Sequence, residues 1–191
     1  YGEAVPGSGR SSDSNMDYMD KSIQAQHGSM DYNYLQFMNV KLKKGRWLNP
    51  NLASDTISNV LVNEAFVRKF GWNDDEALKN VFHPGFDYQK DYHIVGIVND
   101  FNIKNLKTQI EPIVFFHYRE TEWKRYDVYN IQLKIKPDDI DGTVKRLKTY
   151  WQNNVEPGYP FDFYFIDKQF EKPSENTKNN RRYSQFSTQW F

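Results

Sequence analysis

Val60-Leu61-Val62-Asn63-Glu64-Ala65-Phe66-Val67-Arg68-Lys69-Phe70-Gly71 sets a strand, a cap, a helix and a stop in direct succession. Val60-Leu61-Val62 is a short apolar run of strand type. Asn63 follows as an N-cap, because its side-chain carbonyl can accept from the amides that the first helical turn leaves unpaired. Phe66, Val67 and Phe70 share one helical face, and Gly71 stands where a left-handed residue closes a helix. A chain that switches from strand to helix within so few residues belongs to a class that mixes both.

Downstream, Asp74 to Val81 has room for one or two helical turns. His93-Ile94-Val95-Gly96-Ile97-Val98 is β-branched and reads as a central strand, in which Gly96 marks a bulge or a close backbone approach. Ile113-Val114-Phe115-Phe116 is another strand, with Pro112 at its first edge. Upstream, Tyr32, Tyr34, Leu35, Phe37 and Met38 cover one side of a short helix. Val40 and Leu42 then alternate with lysines before Lys44-Gly45, a helix-then-strand step.

The C-terminal third reads as a βαβ unit. A strand from Tyr126 to Lys136 carries Val128, Ile131, Leu133 and Ile135. Pro137, Asp138 and Asp139 end it and cap a helix that places Ile140, Val144, Leu147, Lys148 and Trp151 along one stripe. Phe161, Phe163 and Phe165 then alternate with Asp162 and Tyr164. Burying three Phe and a Trp at this seam is expected to supply about 8 kcal/mol of gross hydrophobic stabilisation. Residues 1–28 are polar and turn-rich and read as a loop or fraying arm, and the stretch after Phe170 reads as mobile.

Composition narrows the function classes. The 191 residues suffice for a core without staples. Lys+Arg and Asp+Glu are both 25, so no global field draws the protein to nucleic acid or an anionic surface. The absence of Cys removes disulfides, thiolate catalysis and cysteine zinc sites, and leaves the redox compartment open. The sequence opens at Tyr1 with no leader pattern and holds no apolar run of the roughly 20 residues that span a bilayer, so it reads as an excised piece.

Searches for chemistry return mainly exclusions. Gly2 to Ser8 places Ser8 where a phosphate loop needs Lys. His27, His83, His93 and His117 have no metal-ligand spacing. Asp139-Ile140-Asp141-Gly142 resembles a calcium-loop core, but Pro137 and Lys148 occupy its first and twelfth ligand positions, and helix capping explains it better. Asp13, Asp17 and Asp20 read as a solvated face. Glu64, Glu76, Glu111, Glu120 and Glu122 form no pair of fixed separation, and no Gly-x-Ser-x-Gly elbow is present. Trp123, Tyr126 and Tyr129 read as packing residues before a sugar or base platform. No catalytic, cofactor or metal site is expected.

Several segments taken in order resemble one family. Met30-Asp31-Tyr32-Asn33-Tyr34-Leu35 followed by Gly45-Arg46-Trp47 forms the first block. Val60-Leu61-Val62-Asn63-Glu64-Ala65 with Phe70-Gly71-Trp72 forms the second. His93 to Val98 continuing through Asn99-Asp100-Phe101-Asn102, then Leu106 and Pro112, forms the third. Trp151, Pro157, Pro160-Phe161 and Phe165-Ile166-Asp167 with Phe170 form the last. Together they resemble the MacB-like periplasmic core domain of ABC-transporter permeases of the MacB/FtsX group, over about residues 30 to 172.

The resemblance implies an α+β, two-lobed fold: a flexible segment over 1–28, a β-rich lobe with short helices over 29–120, and a βαβ porter-like lobe over 121–172. A mobile tail over 173–191, with Arg181 and Arg182, would lead towards a membrane helix in the parent protein. It implies a non-catalytic domain on the periplasmic face of a bacterial inner membrane that transmits ATP-driven motion during export. Its partners would be the cytoplasmic ATP-binding subunit, a second permease copy and a periplasmic protein, with no nucleic acid. Such coupling needs stiff lobes and a movable joint, for which Gly45, Gly71 and the connection from Arg119 to Lys124 are the candidates. The alternative is a secreted or surface module that binds carbohydrate or peptide.

Overall fold

The computed structural model describes residues 12–87, 89–101, 110–119, 130–155, 158, 160–165 and 185–189. The chain divides into two compact units, Tyr1–Val128 and Tyr129–Phe191. Both combine strands and helices, as the α+β expectation requires.

The first unit begins with an antiparallel hairpin, β1 (Ser12–Tyr18) and β2 (Lys21–Met30), joined by the turn at Met19 and Asp20. The expected loop over 1–28 therefore gives way to strand from Ser12 onward. The reason is compositional: Met16, Ile23, Ala25 and Met30 carry the hairpin's apolar face into the core, and the polar Gln26 and His27 are buried beside them, so no alternating pattern shows. A one-turn helix, α1 (Tyr34–Phe37), and the strand β3 (Leu42–Gly45) bear out the predicted helix-then-strand step. After α2 (Ser54–Ile57) come β4 (Asn59–Asn63) and α3 (Glu64–Phe70). Gly71 closes α3 at φ 76°, and its amide donates to Arg68 O, as the sequence predicts.

A single turn, α4 (Asp74–Ala77), starts from a capping box in which Asn73 and Glu76 exchange hydrogen bonds. The strands β5 (Val81–Pro84), β6 (Tyr92–Val98) and β7 (Ile113–His117) complete the unit. The strand order is β3-β6-β4-β7-β2-β1-β5, and β5 also pairs with β6, so the ladder closes on itself. β4 is parallel to β6, β2 is parallel to β7, and the remaining pairs are antiparallel.

Both faces of the central strands are apolar, which is why 60–62 and 113–116 read as continuous runs and not as alternating ones. Val60, Val62, Val114 and Phe116 pack against Phe66 and Phe70 of α3. Leu61, Ile113 and Phe115 pack with Tyr34 and Leu35 of α1. Burying Phe66, Val67 and Phe70 contributes about 6 kcal/mol gross. The predicted irregularity at Gly96 is present in both senses. Val60 pairs with Ile94 but Leu61 with Gly96, so Val95 is the extra residue of a bulge. The slip brings Ile94 and Ile97 to the same core face although they are three residues apart. At Gly96 itself a Cβ would run into Arg46 O, so backbone approach also demands the glycine.

In the second unit β8 (Asn130–Lys134) leads through a 3-10 turn, Pro137–Asp139, into α5 (Ile140–Tyr150). Asp139 caps α5 by accepting from the Gly142 amide at 2.9 Å. A π turn, Trp151–Val155, and β9 (Asp162–Phe165) follow. β8 and β9 run parallel, as a βαβ unit requires, but they are not neighbours. β10 (Gln185–Gln189) lies between them, parallel to both. The expected mobile tail thus contains a central strand, whose polar sequence gives no period-two signal. The aromatic seam is thinner than predicted: Trp151 is buried and lies 6.5 Å from Phe161, yet Phe163 is 40% exposed and α5 buries no residue fully.

Candidate functional site

The second and third sequence blocks meet at one polar junction. Asn63, at the end of β4, is fully buried, and its Oδ1 accepts from Phe66 N at 3.1 Å and Ile113 N at 2.9 Å. Its Nδ2 donates to Glu111 O at 2.8 Å. One side chain therefore caps α3 and also fixes the start of β7. Sequence reasoning finds the cap; the grip on β7 has no local signal, because Ile113 is fifty residues away.

Beside it, Glu64 and Asp100 exchange bonds across the same end of the sheet. Glu64 Oε2 accepts the Asp100 amide at 3.0 Å, and Asp100 Oδ1 accepts the Ala65 amide at 2.9 Å. Their other oxygens meet cations: Lys43 Nζ lies 3.0 Å from Glu64, and an Arg68 guanidinium nitrogen lies 2.5 Å from Asp100. Lys43 also bridges to Asp74 at 3.2 Å. The Asp100 amide first, and Lys43 next, hold the Glu64 carboxyl below its ordinary value. The hydrogen bond to Glu64 in turn raises Lys43. With both oxygens of each carboxylate already engaged, the pair is suited to clamping backbone and not to moving protons.

A second clamp builds on the Gly45-Arg46-Trp47 block. Arg46 grips Asp55 with two nitrogens, at 2.5 and 2.8 Å. Asp55 is fully buried and also accepts from Asn49 N at 2.7 Å and Asn59 Nδ2 at 2.6 Å. Burial pushes Asp55 up, but Arg46, Asn59 and the Asn49 amide together outweigh it and hold the group below its ordinary value. Asp55 carries no sequence signal of its own, since nothing near it announces an arginine on another element.

Of the candidate joint residues, Gly45 (φ 82°) ends β3, where a Cβ would meet Val95 O and lie 2.9 Å from Gly96 Cα. Gly71 has open space, with only Lys21 Nζ at 3.7 Å. Arg119 follows β7, its amide donating to His117 Nδ1 at 3.2 Å and its guanidinium 5.3 Å from the Tyr118 ring centre. Lys124 lies outside the described residues, as do Trp123, Tyr126, Tyr129, Glu120, Glu122, Leu106, Phe170, Arg181 and Arg182.

The four histidines occupy separate settings. His27 is buried with Nε2 3.0 Å from Ser14 Oγ. His83 Nδ1 lies 3.2 Å from Lys90 O. His93 is exposed on β6, and His117 is buried at the end of β7. Asp139 keeps its capping role and pairs with Arg146 at 3.1 Å. Among the described residues no three His, Asp or Glu side chains gather as a metal site, and no helix is long and apolar enough to cross a membrane.

No protein-family model matches the chain, and no curated protein matches it. Solved structures do. The chain is similar to the periplasmic region of MacB from Actinobacillus actinomycetemcomitans, at 17% identity and a TM-score of 0.52 over 76% of this chain. It is similar at 15% identity and a TM-score of 0.50, again over 76%, to a domain of a Porphyromonas gingivalis protein described as a permease. A partial likeness, at 11% identity and a TM-score of 0.44, covers 60% of this chain and 57% of the extracellular domain of the noncanonic ABC-type transporter YknZ from Gram-positive bacteria. This chain spans 64% and 65% of the first two structures. At such identities what is shared is the fold, that of the periplasmic domains of MacB-like permeases.

Proposed function

We propose that this chain is the extracytoplasmic domain of an ABC-transporter permease and works as a non-catalytic mechanical element. In that role it passes ATP-driven motion from the membrane part to a substrate or periplasmic partner on the outer side of a bacterial inner membrane. The observation that carries this reading is the fold likeness to the MacB periplasmic region, reached independently of the sequence blocks. Its physical support is the stiffness of the first unit, where Asn63, Glu64, Asp100 and Asp55 each tie two or more elements together. A lever needs a rigid body and one place to bend. All four candidate positions belong to the first unit, Tyr1–Val128, but Arg119 and Lys124 follow its last strand, β7, and stand nearest in sequence to the second unit. We assign the joint to Arg119–Lys124. The ATP-binding subunit and a second permease copy are the partners this role requires.

These 191 residues contain no cysteine, so labels within them go only where cysteine is introduced, with any cysteines elsewhere in the permease replaced first. Leu52→Cys in the first unit and Tyr150→Cys in the second, both exposed positions, would carry a fluorophore pair in the intact permease. An inter-label distance that changes between the ATP-bound and nucleotide-free states is expected. A distance that stays constant through turnover, or a hydrolytic turnover intrinsic to the chain, would overturn the proposal.

A further inference from the structure

His117 closes β7, and its side chain is among the most enclosed polar groups of the described residues, at 2% exposure. Its ring lies 4.1 Å from that of Tyr32 and 4.6 Å from that of Tyr118. Nδ1 accepts the Arg119 amide at 3.2 Å, so the neutral ring must carry its proton on Nε2, which is buried and has no hydrogen-bond partner. Nδ1 is therefore the one basic position, and it is already occupied as an acceptor.

We propose that His117 is an acid-sensitive latch on the exit of β7, released when Nδ1 takes up a proton and can no longer accept the Arg119 amide. The balance is simple: one proton enters from solvent, one hydrogen bond is lost, and one positive charge appears in an enclosed site. Among the described residues the groups that face it are few. Asp31 and Tyr32 come from the segment between β2 and α1, and Tyr118 and Arg119 from the exit turn. Tyr32 commits its hydroxyl to Thr56 Oγ1 at 2.5 Å. α2, which touches β7, adds Asp55, already held by Arg46, Asn49 and Asn59. Burial first, then the Arg119 charge, push the His117 imidazole down to about 4 against the opposing pull of Asp31.

The sign follows from that direction. An opened ring regains the ordinary value of 6.5 and binds protons more readily than the closed one between 6.5 and about 4. The closed turn is favoured fully above that window, loses its advantage as pH falls through it, and gains nothing further below it. That release would loosen the lever rests on the assignment of the joint to Arg119–Lys124; the latch itself does not.

Nitrogen-15 NMR of the His117 ring, together with hydrogen exchange at the Arg119 amide, tests it on the 191-residue chain between pH 7 and 3.5. The expected result is an Nε2–H tautomer at pH 7 and a ring midpoint near 4. The Arg119 protection factor should fall as pH drops, by up to about tenfold per pH unit. His117→Gln keeps an acceptor that does not titrate and should flatten the profile; if that variant fails to fold, the wild-type titration decides alone. An Nδ1–H tautomer, a midpoint near 6.5, or Arg119 protection indifferent to pH would overturn the latch. A latch that opens on schedule while transport by the intact permease ignores pH in the same window upholds the latch and counts against the joint.

Discussion

Glu64 and Asp100 each use a carboxylate to hold the backbone beside the other: Glu64 accepts the amide of Asp100, and Asp100 accepts the amide of Ala65, the residue after Glu64. Glu64 opens α3 and Asp100 follows β6, with α4 and β5 between them in sequence, so the exchange welds the start of a helix to the end of a central strand.

Glu64→Gln should keep an acceptor but lose the charge that Lys43 and the Asp100 amide favour. A loss of about 1 kcal/mol at pH 7 is expected in urea unfolding. Because the native carboxyl is held below its ordinary 4.5, its contribution is present above that value and disappears as pH falls through the lower native one. The gap between wild type and variant should therefore close in acid. A gap that does not narrow at all as pH falls below 4.5 would show that the charge is irrelevant. Asp100→Ala, which strips a helix-start amide of its acceptor and Arg68 of its partner, should cost about 1–2 kcal/mol at neutral pH.

The Arg46–Asp55 pair is asymmetric, since Asp55 is fully buried while the Arg46 side chain is 43% exposed. Removing the cation should therefore hurt more than its exposure suggests, because an enclosed carboxylate is left with two neutral donors. Arg46→Ala should cost about 3 kcal/mol, and Arg46→Lys a smaller amount, since an ammonium cannot reproduce the two-nitrogen grip. Equal stability of the lysine variant and the wild type would refute the bidentate account.

Two glycines with the same backbone sign differ in surroundings, and alanine distinguishes them. At Gly71 the penalty is the left-handed backbone alone, about 1 kcal/mol. At Gly45 the new methyl also meets Val95 O and Gly96 Cα, so the loss should be at least twice as large. Thermal melts of Gly45→Ala and Gly71→Ala measure the difference, and the reverse order would contradict the packing at β3 and β6. Gly71→Pro additionally deletes the amide bond to Arg68 O and should cost more than Gly71→Ala in the same melts.

What sequence could and could not reveal follows the range of the interactions involved. Val60 to Gly71 was legible because strand, cap, helix and stop are all set by neighbours within four residues. Gly96 was legible because an isolated glycine in a β-branched run has few other meanings. The β1–β2 hairpin was hidden because β1 sends only Met16 fully into the core, too little for a period to show. β10 was hidden for a different reason. Its place between β8 and β9 depends on parallel pairing with strands more than twenty residues away, and its polar sequence gives no hint of a central position. In the junction, Asn63 announced its cap but not its hold on Ile113, and neither Asp55 nor His117 stood apart from any other polar residue. Their roles exist only once distant elements are brought beside them.

The second unit offers the sharpest test of how unevenly stability is distributed. Its described helix buries no side chain completely, its seam runs through Trp151 and Phe161, and Phe163 remains 40% exposed. The first unit, by contrast, encloses two clusters on the two faces of one closed ladder. Trp151→Ala removes a burden of apolar contact worth about 3–5 kcal/mol, which is comparable to all that a unit of this size can hold in reserve. Loss of amide protection in β8, α5 and β9 is therefore expected, while β4, β6 and β7 keep theirs, because among the described residues their core is built from positions before Tyr118. In the wild-type chain the same imbalance predicts two unfolding steps in denaturant, the Tyr129–Phe191 unit opening first. One cooperative transition that exposes both sheets together, or a Trp151 variant that loses β4 protection along with β8, would mean that the two units stabilise each other.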